Sequence, residues 1–109
     1  MEQNEMTEEM PRSDAPAAVV DRSTVYIGRK DAMTYVLAVV TQFNQGLKEV
    51  TLKARGMSIS RLVDVSQIVK NRFIPTMRIG NIDITTEELT SEDGRQSKVS
   101  SMAMKLHKE

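Results

Sequence analysis

The chain contains no cysteine and no tryptophan, one histidine, two tyrosines and two phenylalanines in 109 residues. Without cysteine there is no disulfide, no thiolate metal centre and no cysteine nucleophile, which suits a reducing cytosol. His107, close to the end of the sequence, is more simply a solvated side chain than a metal ligand or general base. No apolar run approaches the roughly 18 residues of a membrane span, so no membrane association is expected. The opening Met1-Glu2-Gln3-Asn4-Glu5 lacks the basic and apolar regions of a secretory leader. Also missing are a glycine-rich phosphate loop with its lysine, a His-Glu-x-x-His pair, and a nucleophile beside a plausible base. A non-catalytic protein without metal or cofactor is the expectation. Glu87, Glu88, Glu92 and Asp93 lie close together, but read better as a solvated face protecting a strand edge than as an acid–base or metal site.

Formal net charge is zero, which on its face argues against nucleic acid. The distribution says otherwise. Residues 1–23 hold six acids (Glu2, Glu5, Glu8, Glu9, Asp14, Asp21) against Arg12 and Arg22, a net of −4. Residues 24–109 hold thirteen bases against nine acids, a net of +4. Binding depends on where charge sits rather than on its total. Residues 1–23, polar and carrying Pro11 and Pro16, are expected to form a flexible acidic tail. Residues 24–109 are expected to form one folded domain.

Thr24–Gly28 reads as a first strand ended by glycine. Met33, Val36, Leu37, Val40, Phe43 and Leu47 recur at helical spacing and predict a helix from about Asp31 to Gln45, with Gly46 as the left-handed residue past its end. Lys48–Ala54 alternates, with Val50, Leu52 and Ala54 on one face, and predicts a second strand. Strand, helix and strand at this spacing make a right-handed βαβ unit with parallel strands. Ser58 is a natural N-cap for a second helix reaching Phe73, stopped by Pro75. Its stripe of Ile59, Leu62, Val63, Val69 and Phe73 is widened by Val65 and Ile68, as in a deeply buried helix or in one that also packs on another subunit. Met77 and Ile79, then Ile82 and Ile84, alternate but change parity at Gly80-Asn81, predicting a bulged strand. Met102, Met104 and Leu106 mark the last strand, and Asp93-Gly94 marks a hairpin turn between the two. The predicted fold is an α+β two-layer β-α-β-α-β-β sandwich, its helices on one face of a mixed sheet, with a protruding hairpin.

Basic residues fall at telling places. Arg29 and Lys30 follow the first strand; Lys53 and Arg55 end the second. In a parallel βαβ unit both strand ends lie on one edge of the sheet. Arg61 falls one turn into the second helix, near that edge. Lys70 and Arg72 close the helix, where Lys70 is better read as stabilising the helix end. Arg95, Gln96 and Lys98 decorate the hairpin tip. Cations gathered this way suit the phosphate backbone of a duplex. Tyr26, Tyr35, Phe43 and Phe73 mostly sit at core-like spacing, so base stacking is not expected to dominate.

The segments Val25-Tyr26-Ile27-Gly28-Arg29-Lys30, Asn44-Gln45-Gly46, Lys53-Ala54-Arg55-Gly56, Lys70-Asn71-Arg72-Phe73-Ile74-Pro75 and Glu92-Asp93-Gly94-Arg95-Gln96-Ser97-Lys98-Val99-Ser100 resemble, in order, those of the Alba family of archaeal chromatin proteins. The resemblance runs from Thr24 to His107. It implies a homodimer that binds double-stranded DNA, and often RNA, with little sequence preference, in the cytoplasm on the chromosome. It implies that Arg29 and Lys30 are the central backbone contacts, that Lys53, Arg55 and Arg61 flank them, and that Arg95 rides on a hairpin arm along the minor groove. Phe73 matches a position used when family dimers pack side by side on DNA. The family often has two lysines after the first glycine, the first open to acetylation; Arg29 stands there instead and leaves Lys30 as the acetylation candidate. Met57 stands where relatives often carry arginine. The acidic tail is expected to compete with DNA for the basic face. An RNA chaperone or RNA-processing subunit would use the same surface; a weak nuclease would need converging carboxylates; a purely structural dimerisation module would be indifferent to charge reversal at Arg29, Lys30 and Arg55.

Overall fold

Strand-forming alternation and helix-period stripes settle into six elements in a computed structural model that describes residues 23–108. They are β1 (Thr24–Tyr26), α1 (Ala32–Asn44), β2 (Glu49–Arg55), α2 (Ser58–Ile68), β3 (Arg78–Thr90) and β4 (Gln96–His107). The expected acidic tail, up to residue 22, lies outside the described residues. The sheet order is β1-β2-β4-β3, with β1 parallel to β2 and the other pairs antiparallel. This is the predicted mixed sheet with both helices on one face.

Val25 and Ile27, Val50, Leu52 and Ala54, and Met104 and Leu106 point from the sheet towards the helices and are buried there. They meet Val36, Val39 and Phe43 of α1 and Leu62 and Val65 of α2. Burying each of the larger side chains stabilises the fold by about 1.5–3 kcal/mol.

Both helix stripes differ from their sequence expectation. In α1 the buried line is Val36, Val39 and Phe43, while Met33 and Leu37 are exposed. A helix lying flat on a sheet buries a narrow i, i+3, i+7 line, so part of the broader apolar set stays outside. In α2 the centre of the stripe is Leu62, Val65, Ser66 and Val69, so Val65 belongs to the core rather than to its margin. Val63 and Phe73 are exposed. The α-helix also ends before Phe73: over Val69–Phe73 the turn widens, and the Ile74 N–H bonds the Val69 carbonyl at 2.7 Å, five residues back. Ser58 does not cap its helix; its hydroxyl bonds the Gly28 carbonyl at 3.3 Å, a tertiary partner that outcompetes the local one.

The parity change in β3 is a bulge between Ile79 and Ile82, as the sequence predicts. Beyond the Arg55–Ser101 pair, β4 has only β3 beside it, so Thr86–Ser100 forms a two-stranded arm clear of the core. Its tip is a three-residue loop rather than a two-residue turn. The Gly94 N–H bonds the Ser91 carbonyl at 3.0 Å, the Ser91 N–H bonds the Arg95 carbonyl at 2.8 Å, and Gly94 takes φ +86°.

Candidate nucleic-acid interface

Where β1 and β2 end, the chain turns back into α1 and α2, and these two connections bring the basic residues together. Gly28 lies at the focus. Its carbonyl accepts Arg61 Nη1 at 2.8 Å and the Ser58 hydroxyl, so the start of α2 is tied to the loop after β1. Gly56, at φ +56°, turns the chain out of β2 with its N–H on the Ser100 carbonyl at 2.8 Å. The left-handed conformation there favours glycine, since a Cβ would meet Val99 at 3.2 Å as well.

The result is a hollow of about 530 Å³ lined by Arg29, Arg55, Met57, Ser58 and Arg61. Three arginines from three separate stretches line it beside Met57, which is 96% exposed. Lys30 is exposed on the same loop, its backbone N–H held by the Tyr35 hydroxyl at 3.0 Å. The rim can therefore meet phosphates with planar, multi-donor groups on a fixed frame.

Lys53 and Arg55 emerge on the sheet face that carries no helix. Lys53 Nζ lies 5.9 Å from the centroid of the Tyr26 ring, its register partner in β1. Arg55 Nη1 lies 3.4 Å from Glu87 on β3, with both side chains about half exposed. A second, shallow hollow of about 360 Å³ is lined by Tyr26, Ile27, Lys53, Ala54, Arg55, Glu87 and Ser101. Arg55 thus borders both hollows.

The remaining expected residues stand apart from this rim. Arg72 closes the widened turn after α2. That puts it roughly 20 Å along the helix from Arg61's end. Lys70 Nζ bonds the Met77 carbonyl at 3.0 Å and so ties the helix end to the approach to β3. Lys98 and Arg95 lie on the arm, with Arg95 Nε 3.3 Å from the Asp93 carboxylate. The Ser91 hydroxyl, and then the Arg95 N–H, hold the Asp93 carboxyl below its usual pKa. Among the described residues no group of three or more His, Cys, Asp or Glu could hold a metal, and no helix is long and apolar enough to cross a membrane.

Sequence reasoning missed three features beside this rim. Ser58 was hidden because its local role as a cap looked sufficient. Glu87 was hidden because its partner is 32 positions away. Tyr26 was grouped with core-like aromatics, yet it is 41% exposed, as is Phe73 to a similar degree; only Phe43 of the four is buried, and Tyr35 is half-buried. The signal for Tyr26 was present: in a strand whose Val25 and Ile27 face the core, the residue between them faces away.

Comparison with known proteins agrees with this architecture. Residues 23–86 match the Alba family. The chain is 51% identical over 84 residues to a protein of Methanocella arvoryzae called DNA/RNA-binding protein Alba, covering 77% of this chain and 88% of that one. It is 53% identical over 72 residues to DNA/RNA-binding protein Alba 1 of Archaeoglobus fulgidus, covering 66% of this chain and 81% of that one. The solved structure of Alba from Thermoplasma volcanium superposes with a TM-score of 0.74 at 44% identity, covering 78% of this chain and 99% of the other. A match over more than half the sequence, joined to the close superposition on a solved Alba structure, places this chain in the Alba family.

Proposed function

We propose that the protein is a non-catalytic binder of double-stranded DNA that works as a homodimer in chromosome organisation. In this reading Arg29, Lys30, Arg55 and Arg61 grip the phosphate backbone, Lys53 flanks them, and the two arms carry Arg95 and Lys98 along the minor groove. The observation that carries the reading is that three arginines from separate stretches of the chain line one exposed hollow. Its relatives' shared description as DNA/RNA-binding proteins supports it.

Two copies are needed because one leaves apolar surface uncovered. Ile79, Ile82 and Ile84 of β3 lie on the sheet's helix-bearing face but are exposed, as is Val63 of α2. A second copy covering this face pairs the two rims. Arg72 joins the binding surface only through such an assembly. The 42% exposed Phe73 suits side-by-side contact between dimers, and exposed Lys30 remains the candidate for regulatory acetylation. In this reading the protein is cytoplasmic and associated with the chromosome. The same surface reads an RNA duplex by its backbone, and the relatives' description as DNA/RNA-binding proteins favours that second reading.

Titrating matched DNA and RNA duplexes against salt tests both readings. If the dimer neutralises about six phosphates, log affinity falls against log salt with a slope near −5. Arg55→Ala weakens binding about equally across sequences and makes the slope shallower by about two, one unit per protomer. A flat salt response removes the phosphate model, and a duplex preference assigns DNA or RNA.

A further inference from the structure

We propose that the helix-free face of the sheet holds an unpaired nucleotide next to the duplex, its base stacked on Tyr26 and its phosphate between Lys53 and Arg55. The proposal rests on nucleic-acid binding at the rim and adds a single-stranded subsite to it.

Four observations carry it. Tyr26 sits in a strand whose neighbours Val25 and Ile27 are buried on the other face, so its ring lies on the open side of the sheet, 41% exposed. Lys53 Nζ stands over the ring, 5.9 Å from its centroid, at the outer limit of a cation–π contact, so the ring's electron-rich face is held by one weak and mobile partner. The adjoining hollow of about 360 Å³ is lined by one aromatic ring, two cations, the Ser101 hydroxyl and the Glu87 carboxylate. Its size is at the lower end of the range for small-ligand sites. Finally, Arg55 lines both this hollow and the arginine rim, so a strand leaving a duplex held at the rim passes directly onto Tyr26.

The chemistry selects an unpaired nucleotide over a paired one. Inside a duplex each base already stacks on its neighbours, and its faces are closed to a side chain. A base beyond the end of the duplex has a free π-face, and an aromatic ring beside a cation is what such bases stack on. Lys53 then leaves the ring for the phosphate, a strong charge-assisted contact in place of a weak one. Glu87, freed from Arg55, offers an acceptor to an exocyclic amine of the base.

The test uses the full-length protein, a blunt duplex, and the same duplex ending in a short unpaired overhang, in DNA and in RNA. The overhang probe binds about five- to tenfold more tightly than the blunt one. Iodouracil at the first unpaired position crosslinks to Tyr26 on irradiation. Tyr26→Leu, which keeps apolar volume but has no π-face, and Tyr26→Ala lose the preference while blunt-duplex affinity stays within about twofold, since stacking contributes only to the unpaired base. Tyr26→Phe keeps it. Equal affinity of the wild-type protein for the two probes overturns the proposal, as does a preference that survives in Tyr26→Leu. So does an equal loss of both probes in Tyr26→Leu, which would make the ring a structural prop. Overhang binding without blunt-duplex binding would instead remove the proposed duplex function and leave this site standing; failure of both probes removes both.

Discussion

Arg55 faces two ways, towards the arginine rim and towards Glu87, whose carboxylate lies 3.4 Å from its guanidinium. An ion pair this exposed contributes little to stability, about 0–1 kcal/mol. Its larger effect is on binding, since Glu87 holds a negative charge beside the guanidinium that a phosphate would approach. Glu87→Gln therefore leaves the thermal midpoint almost unchanged and tightens duplex binding at low salt by a few-fold, with the gain fading as ionic strength screens the exposed charge. A competition titration at two salt concentrations reads this directly; weaker binding would show that Glu87 orients Arg55 and does not oppose it. At this scale the sequence was legible where one residue has one job. Gly94 and Gly46 sit at positive φ as their turn positions required. It was illegible where a side chain had a distant partner that outcompeted a local role, as with Ser58, whose hydroxyl serves the Gly28 carbonyl.

The edge strand β3 shows how far an element's pattern reveals its surroundings. The alternation of Ile79, Ile82 and Ile84, broken by the bulge, correctly told which face of the sheet these residues occupy. It did not tell that the helices leave them exposed. Alternation reports a face, whereas burial depends on what lies over it, and here α1 and α2 cover β1, β2 and β4 instead. The same gap separates the expected and actual stripes of α2, where the sequence left open a buried helix or one shared with a second subunit. Val63 and Phe73 remain outside, on the side of that second answer. Ile84, 68% exposed in the single chain, is the cleanest probe. Ile84→Asp places a charge in water in the monomer but, in the proposed dimer, buries it unpaired between two copies. Sedimentation should show the dimer dissociation constant rising by at least about a hundredfold, the order expected for an unpaired charge in an interface. The thermal midpoint of the dilute monomer should hardly change. A variant that sediments as the wild type would move the dimer contact elsewhere.

Across the whole molecule, the parallel pairing of β1 with β2 is the one a βαβ unit leads one to expect, and it puts the ends of both strands on one edge, where their arginines line one hollow. Charge is partitioned on the same scale: net −4 in residues 1–23 against net +4 in residues 24–109. The acidic stretch joins the domain at Ser23, whose carbonyl accepts the Thr51 N–H at 2.6 Å, at the end of β1 opposite the rim. β1 and the residues up to Gly28 span only about 15 Å, less than two Debye lengths at physiological salt. Twenty-two residues can extend several times that distance. On the length of the chain alone, we propose that acids tethered this near the rim compete with nucleic acid for it. Removing residues 1–22 should tighten duplex binding several-fold at low salt, where unscreened competition is strongest, and the truncated and full-length chains should converge as salt approaches ~0.5 M. The truncated protein should also show a steeper salt dependence, because in the full chain added salt weakens the competing acids as well as the phosphate contacts and so offsets part of the loss. Identical affinities and slopes for the two chains would show that the acidic segment does not reach the rim.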